Sequence, residues 1–329
     1  MSEKSRESLK AVITDYAFDT IDLEREVLAP LDCRLEALKS GKGQELIDLV
    51  KDADAVITQF ALVTADVIGA MQKCRVIVRY GIGVDNVDLK AAAAKNIPVC
   101  NVPDYCIDEV ADHTLALILA ATRQIGPCDS AIKAGQWKLP VALTALHALK
   151  YMTIGLVAFG RIGREVAARL NAFKCKVLVF DPALPESVIR DAGCVPATLD
   201  DVLTQSDLIT LHCPSTEKTR RMINADSIAK MKKGVILVNA SRGTLVDTGA
   251  LAAALQSGQI SAAALDVADP EPLNADSPLL KMSNVVITPH VASATPQAVQ
   301  KLRTDAAGIA AMALRGEKVP NVVNGVRQD

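Results

Sequence analysis

Short apolar runs rich in β-branched residues alternate with amphipathic stretches over most of the chain. Ala11-Val12-Ile13-Thr14, the segment from Ala53 to Phe60, Arg75-Val76-Ile77-Val78 and Pro98-Val99-Cys100-Asn101-Val102 each read as a strand. Roughly 15–25 residues of helical pattern separate them, the rhythm of βαβ units feeding a parallel sheet. The rhythm then breaks. From Ile107 to Arg123, the residues Val110, Leu115, Leu117 and Ile118 recur at helical spacing, which predicts one long helix stopped near Gly126-Pro127. Residues 127–150 carry no strand pattern and read as an extended helical or loop arm. Alternation resumes at Thr153 and continues to Val285-Val286-Ile287-Thr288. A last helix is predicted from about Gln297 to Arg315. No repeat or low-complexity linker interrupts the pattern, so the break at 103–127 is the candidate domain boundary.

Composition narrows the class of protein. The chain has 329 residues, half of them hydrophobic and 22% charged, which suits two domains and excludes disorder as the main state. Lys and Arg number 36 against 38 Asp and Glu, so the basic excess of a nucleic-acid binder is missing. Aromatics make up only 3%, too few for base-stacking platforms. The apolar runs are too short to span a bilayer. The first ten residues, MSEKSRESLK, hold no apolar signal core, and the expectation is a cytoplasmic protein. The eight cysteines are scattered with no C-x-x-C pair, which argues against a zinc site or a disulfide framework. No metal is expected.

The strongest local signal runs from Thr153 to Gly163, TIGLVAFGRIG. An apolar strand enters a glycine-rich turn with Gly160 and Gly163, and a helix follows from Arg164 to Ala172. Such a turn lets a pyrophosphate rest on backbone N–H groups at the positive end of the helix. A second strand, Lys176 to Phe180, ends in Asp181, 18 residues after Gly163, where a carboxylate grips a ribose hydroxyl. Ala158 stands at the first glycine of the G-x-G-x-x-G pattern. If the turn needs positive φ there, alanine costs on the order of 1 kcal/mol. A glycine turn by itself also fits a plain strand–helix connection; both strands, the helix and Asp181 in register favour a dinucleotide.

Three later segments each end a predicted strand, where ligands lie in an open α/β sheet. Arg242 follows VILVNAS, Asp266 and Glu271 fall in ALDVADPEPL, and His290 follows VVITP. Together an Arg, a Glu and a His can form one acid–base centre: a forked cation for a carboxylate, a proton carrier near neutral pH, and an anion that orients and charges the imidazole. Singly, each is as readily a solvated or structural side chain. His113 and His212 read as structural, and Cys106 and Cys213 as small apolar fillers.

With these residues in view, the chain resembles the D-2-hydroxyacid dehydrogenase family, which includes glyoxylate/hydroxypyruvate reductases, phosphoglycerate dehydrogenases and the C-terminal-binding-protein corepressors. The likeness covers nearly the whole chain and rests on RYGIGVDNVD (79–88), the glycine turn, NASRG, DVADPEP and TPH. The resemblance implies an α/β fold with two parallel sheets. Residues 1–102 and 294–329 would form a flavodoxin-like substrate-binding domain, and 103–293 an NAD-binding Rossmann domain whose arm makes a homodimer. It implies Arg242, Glu271 and His290 as the catalytic set. Gly160, Arg161, Ile162 and Gly163 would take the pyrophosphate of NAD and Asp181 the adenosine ribose. Cys213, Ala240, Ser241, Asp266 and His290 would line the rest of the cofactor cleft. Ile82, Gly83 and Arg242 would hold the carboxylate of a small 2-keto or 2-hydroxy acid. Arg79 precedes those amides in sequence and is expected to point away.

Some residues depart from the family pattern. Besides Ala158, Tyr151 replaces the glycine before the cofactor strand. The stretch 106–113 resembles the corepressor branch, yet His290 is followed by Val-Ala-Ser-Ala-Thr and not by that branch's Trp-containing segment. The implied activity is therefore NAD-dependent interconversion of a 2-keto acid and its D-2-hydroxy acid. An NAD(H)-sensing scaffold with little turnover is the alternative. The loop Thr58-Gln59-Phe60-Ala61-Leu62-Val63-Thr64 has no Lys or Arg, which favours a small or apolar-tailed substrate over a phosphorylated one.

Overall fold

A computed structural model describes residues 8–328; the start of the polar N-terminal stretch, residues 1–7, lies outside them. The chain divides into two compact units, one running up to Tyr105 and resuming at Thr295, the other spanning Cys106–Ala294.

In the first unit five strands form a parallel sheet in the order β2-β1-β3-β4-β5. They are β1 (Lys10–Ile13), β2 (Arg34–Ala37), β3 (Ala55–Thr58), β4 (Val76–Arg79) and β5 (Val99–Cys100). Chain order reverses between β1 and β3, so this is the flavodoxin-like arrangement with its switch point there. Strands β1 and β3 are buried along their whole length, as a sheet covered on both faces requires. One layer over the sheet includes Leu302, Ala306 and Ile309 of the last helix, Pro296–Leu314. The opposite layer includes Leu46, Val67, Ile68 and Ala92.

The second unit carries seven parallel strands in the order β12-β11-β10-β9-β6-β7-β8. These are β6 (Thr153–Val157), β7 (Lys176–Phe180), β8 (Val195–Pro196), β9 (Leu208–Leu211), β10 (Val235–Asn239), β11 (Ile260–Leu265) and β12 (Val285–Ile287). This is the Rossmann order, with its switch point between β6 and β9. The helices Ile107–Arg123 and Arg161–Ala172 cover one face through Ile118, Val166 and Leu170. Leu203, Ile228 and Leu251 cover the other.

Two boundaries differ from the sequence pattern. The helix after the glycine turn begins at Arg161 rather than Arg164, which places Gly163 in its first turn. The long helix ends at Arg123, but not through Gly126-Pro127. Gln124 turns left-handed (φ 53°) and donates its side-chain Nε2–H to the Ala121 carbonyl, 2.7 Å away. A second helix, Ile125–Lys133, then starts with Pro127 in its first turn, where a missing N–H costs nothing. The rest of the arm has two short 3₁₀ turns and no strand. No helix among the described residues is long and apolar enough to cross a membrane.

Candidate active site

The turn after β6 is built around a strained alanine. Ala158 has φ 74°, and its N–H donates to the Phe180 carbonyl at the end of β7, 2.8 Å away. Gly160 caps the next helix without a side chain, and a Cβ there would meet nothing within 4 Å. At Gly163 a Cβ would lie 2.4 Å from the Ala158 carbonyl oxygen, so only glycine lets the helix approach the turn this closely. The N–H groups of Arg161, Ile162 and Gly163 have no hydrogen-bond partner among the described residues. Asp181 accepts from the N–H of Phe159 (2.7 Å) and of Ala183 (2.9 Å), which fixes its carboxylate beside the turn. Orphan amides at a helix start, open space above Gly160 and a carboxylate at the end of β7 fit a dinucleotide.

Across the switch point, Cys213 follows β9 as a buried thiol whose pKa burial pushes up to about 11. Its carbonyl accepts a 2.6 Å hydrogen bond from Ser241 Oγ. Ala240, Ser241 and Arg242 form the half-buried turn after β10. Asn239, nearly fully buried at the end of that strand, clamps the turn from below. Its Oδ1 accepts from Ser241 N (3.0 Å) and its Nδ2 donates to the Arg242 carbonyl (2.8 Å). Sequence reasoning passed over Asn239, although an amide at a strand end is the usual side chain for such a double clamp.

Asp266 directly follows β11 as a buried residue. Its side chain is 1% exposed and turned inward, accepting from Val291 N, Ala292 N and Thr288 Oγ1 at 2.9, 2.9 and 2.6 Å. Three internal donors thus hold the Asp266 carboxylate against the loop after β12.

That loop carries His290, with a left-handed backbone at φ 54°. Its Nδ1 lies 2.6 Å from Glu271 Oε1, and Glu271 Oε2 accepts from Ala268 N at 3.3 Å. Burial alone would raise the Glu271 pKa, but the hydrogen bond and charge of His290, together with the charge of Arg242, hold it below the ordinary carboxylate value. Arg242 donates from Nη1 to the Ser241 carbonyl, 2.7 Å away. The approach of the arginine turn to the glutamate loop depends on Gly243, whose Cβ would fall 1.8 Å from the Ala268 carbonyl oxygen. A base-and-acid pair thus stands at the end of β12 with the charge of an arginine acting on it.

In the first unit, the amides of Ile82 and Gly83 follow β4 and have no hydrogen-bond partner among the described residues. Asn101 Nδ2 donates to the Ile82 carbonyl (2.6 Å) and steadies the loop. Arg79 folds back over the loop that follows its strand. One guanidinium nitrogen occupies the space where a Cβ of Gly81 would be, 1.4 Å from it, because Gly81 (φ 144°) leaves that space open. The neighbouring loop leaves Phe60 and Leu62 exposed, and both line a cavity of about 680 Å³ at the β1/β3 switch point. Lys39 and Lys42, distant in sequence from that loop, line the same cavity. His212 is a half-buried histidine with Nε2 3.0 Å from Thr210 Oγ1, and desolvation lowers its pKa to about 4. Among the described residues, no group of three or more His, Cys, Asp or Glu could hold a metal ion.

The chain is similar to known proteins. Residues 115–292 match the NAD binding domain of the D-isomer specific 2-hydroxyacid dehydrogenases. The chain is 42% identical over 282 residues to a D-3-phosphoglycerate dehydrogenase of Mycobacterium leprae, covering 85% of this chain and 53% of that one. It therefore spans about half the length of such relatives. A glyoxylate reductase of Korarchaeum cryptofilum is 38% identical over 284 residues, 85% of each chain. Among solved structures, a glyoxylate reductase from Paecilomyes thermophila superposes with a TM-score of 0.88 at 27% identity, covering 96% of this chain and 98% of the other. A D-lactate dehydrogenase from Aquifex aeolicus, solved with NAD and lactic acid, gives 0.86 at 28% identity, covering 94% and 96%.

Proposed function

The chain belongs to the D-isomer specific 2-hydroxyacid dehydrogenases, and from that premise we propose that it interconverts a small 2-keto acid and its D-2-hydroxy acid. The cofactor is NAD, the ligand of the domain that residues 115–292 match. Arg161, Ile162 and Gly163 would bind its pyrophosphate through their amides and Asp181 its adenosine ribose, while Cys213, Ala240 and Ser241 line the cleft. Bound NADH supplies the hydride that reduces the carbonyl carbon.

The protein's own residues do the rest. Arg242 pairs with the substrate carboxylate and polarises the carbonyl. The amides of Ile82 and Gly83, unpartnered among the described residues, are suited to donate to a carboxylate. His290 gives its proton to the carbonyl oxygen from Nε2, because Nδ1 is committed to Glu271. Glu271, kept ionised, stabilises the imidazolium before transfer and fixes the ring. The Glu271–His290 hydrogen bond of 2.6 Å is the observation that carries this reading. The relatives compared are named as dehydrogenases and reductases, which does not favour a sensing scaffold with little turnover.

On substrate, the exposed Phe60 and Leu62 favour glyoxylate, hydroxypyruvate, pyruvate or a branched analogue over 3-phosphohydroxypyruvate. A phosphorylated acid is the second reading. Lys39 and Lys42 at the same cavity could neutralise a phosphate, and relatives at 41–42% identity are named D-3-phosphoglycerate dehydrogenase. Turnover of a 2-keto acid panel with NADH and with NADPH decides both points. A phosphorylated substrate of highest kcat/KM overturns the first reading, and no His290-dependent turnover at all overturns the enzyme.

The arm supports a homodimer. Ile132, Trp137, Leu139 and Leu143 are exposed along it, Trp137 at 90%, and such an apolar run is suited to a second copy. Light scattering tests this, with Trp137→Ser and Leu143→Ser expected to weaken the dimer. The proposed compartment is the cytoplasm.

A further inference from the structure

We infer that His113 is a positioning residue for His290, acting through Thr288 and Asp266. The inference rests on the role proposed above for His290. His113 belongs to the long helix Ile107–Arg123, far in sequence from the acid–base pair. Its Nε2 lies 3.0 Å from Thr288 Oγ1 and 3.5 Å from Asp266 Oδ1. Thr288 Oγ1 in turn lies 2.6 Å from Asp266 Oδ1.

Counting protons fixes the direction of these contacts. A carboxylate only accepts, so the single hydroxyl proton of Thr288 goes to Asp266. Oγ1 can then only accept from His113, and His113 Nε2 must carry a proton. The helix thus donates into the network.

Asp266 passes this anchoring to the backbone that displays His290. Its carbonyl accepts from His290 N at 2.8 Å, and its two carboxylate oxygens accept from Val291 N and Ala292 N, each at 2.9 Å. Three consecutive amides therefore hang from one buried residue, and the first belongs to a histidine at φ 54°. A left-handed non-glycine residue persists only where its surroundings over-determine it. Without the His113 donor the Thr288 hydroxyl can turn off Asp266, the carboxylate can then rotate, the loop can relax toward a right-handed backbone, and the 2.6 Å contact with Glu271 is loosened. A shift of about 1 Å in a proton donor can cost on the order of 100-fold in rate.

The test compares His113→Ala, His113→Gln, Thr288→Val and the double variant His113→Ala/Thr288→Val. Glutamine can place an N–H near the position of Nε2. We expect His113→Ala to lower kcat at least tenfold while KM and NADH affinity stay within twofold, and His113→Gln to recover most of the loss. The double variant should be no worse than the poorer single one, since both break one chain of contacts. A readout independent of turnover comes from the four histidines of the chain, labelled with ¹⁵N. The downfield Nδ1 proton of His290, assigned by its loss in His290→Ala, should weaken in His113→Ala and return in His113→Gln. An unchanged kcat and resonance in His113→Ala overturns the inference. So does an equal loss in Ala and Gln that follows their melting temperatures. If the wild type reduces no 2-keto acid, the proposed function falls while the resonance still decides the role of His113.

Discussion

Gly243→Ala tests whether the acid–base centre depends on the close approach of the arginine turn to the glutamate loop. The new Cβ would stand 1.8 Å from the Ala268 carbonyl oxygen and 2.0 Å from its carbon, both of them backbone atoms that no rotamer change can move. An ordinary carbon–oxygen contact is about 3.3 Å, so the arginine turn and the glutamate loop must separate by roughly 1.5 Å. Overpacking of this kind costs about 1–3 kcal/mol, or a fall of roughly 3–10 °C in the melting of a unit this size. A displacement beyond 1 Å between Arg242 and the Glu271–His290 pair should lower kcat by about 100-fold or more. NADH affinity should change far less, because the pyrophosphate turn at Ala158–Gly163 is a separate part of the sheet edge. Gly308→Ala is the control. Nothing lies within 4 Å of a Cβ there, in the middle of the helix Pro296–Leu314, so alanine should stabilise by up to about 1 kcal/mol through helix propensity. Steady-state kinetics on the best keto acid, NADH fluorescence titration and thermal melting measure all of this. A Gly243→Ala protein with kcat within threefold of wild type and an unchanged melting temperature would refute the reasoning.

Glu24, fully buried, accepts from Arg303 Nε and Nη2 at 2.8 and 2.6 Å and from the Tyr80 hydroxyl at 3.0 Å. Glu24→Ala strands the arginine charge and should destabilise the first unit by about 3–5 kcal/mol in urea unfolding; a loss under 1 kcal/mol contradicts this. His212 is neutral in the folded state, with its pKa lowered from 6.5 to about 4, so the unfolded chain binds the extra proton first. Stability should therefore be unaffected above pH 6.5 and decline between there and pH 4 by on the order of 3 kcal/mol, a slope His212→Gln should remove. Asp181 should repel a 2′-phosphate, giving strong preference for NADH over NADPH in kcat/KM, and Asp181→Ala should narrow the gap; equal efficiency in the wild type argues against it. Ala158→Gly should relieve the left-handed strain of about 1 kcal/mol and leave NADH affinity equal or better. Weaker binding would mean that the turn depends on the methyl group.

Much of the local structure was legible in the residues themselves. The strand from Lys176 to Phe180 and the long helix over Ile107–Arg123 follow from periodicity, and the turn at Ala158–Gly163 from the spacing of Gly160 and Gly163, although its positive φ falls on Ala158. Helix ends were less legible. A glutamine supplies the left-handed turn at position 124 and Pro127 starts a helix, because one side-chain hydrogen bond outweighs the usual glycine–proline signal.

What the sequence by itself determined was the kind of chain this is: alternating β and α segments, a dinucleotide turn, and strand ends bearing an arginine, a glutamate and a histidine. Those features are set by neighbours a few residues apart, within reach of period and propensity. Tertiary structure alone decided which groups meet. Sheet order brings His113 to Thr288 across 175 residues, turns the Asp266 carboxylate inward, seats Gly243 against Ala268, folds Arg79 over Gly81 and places Lys39 beside the loop of Phe60. Such contacts leave no periodic trace along the chain, because they depend on the strand order of the sheet, where a strand's neighbours are often remote in sequence.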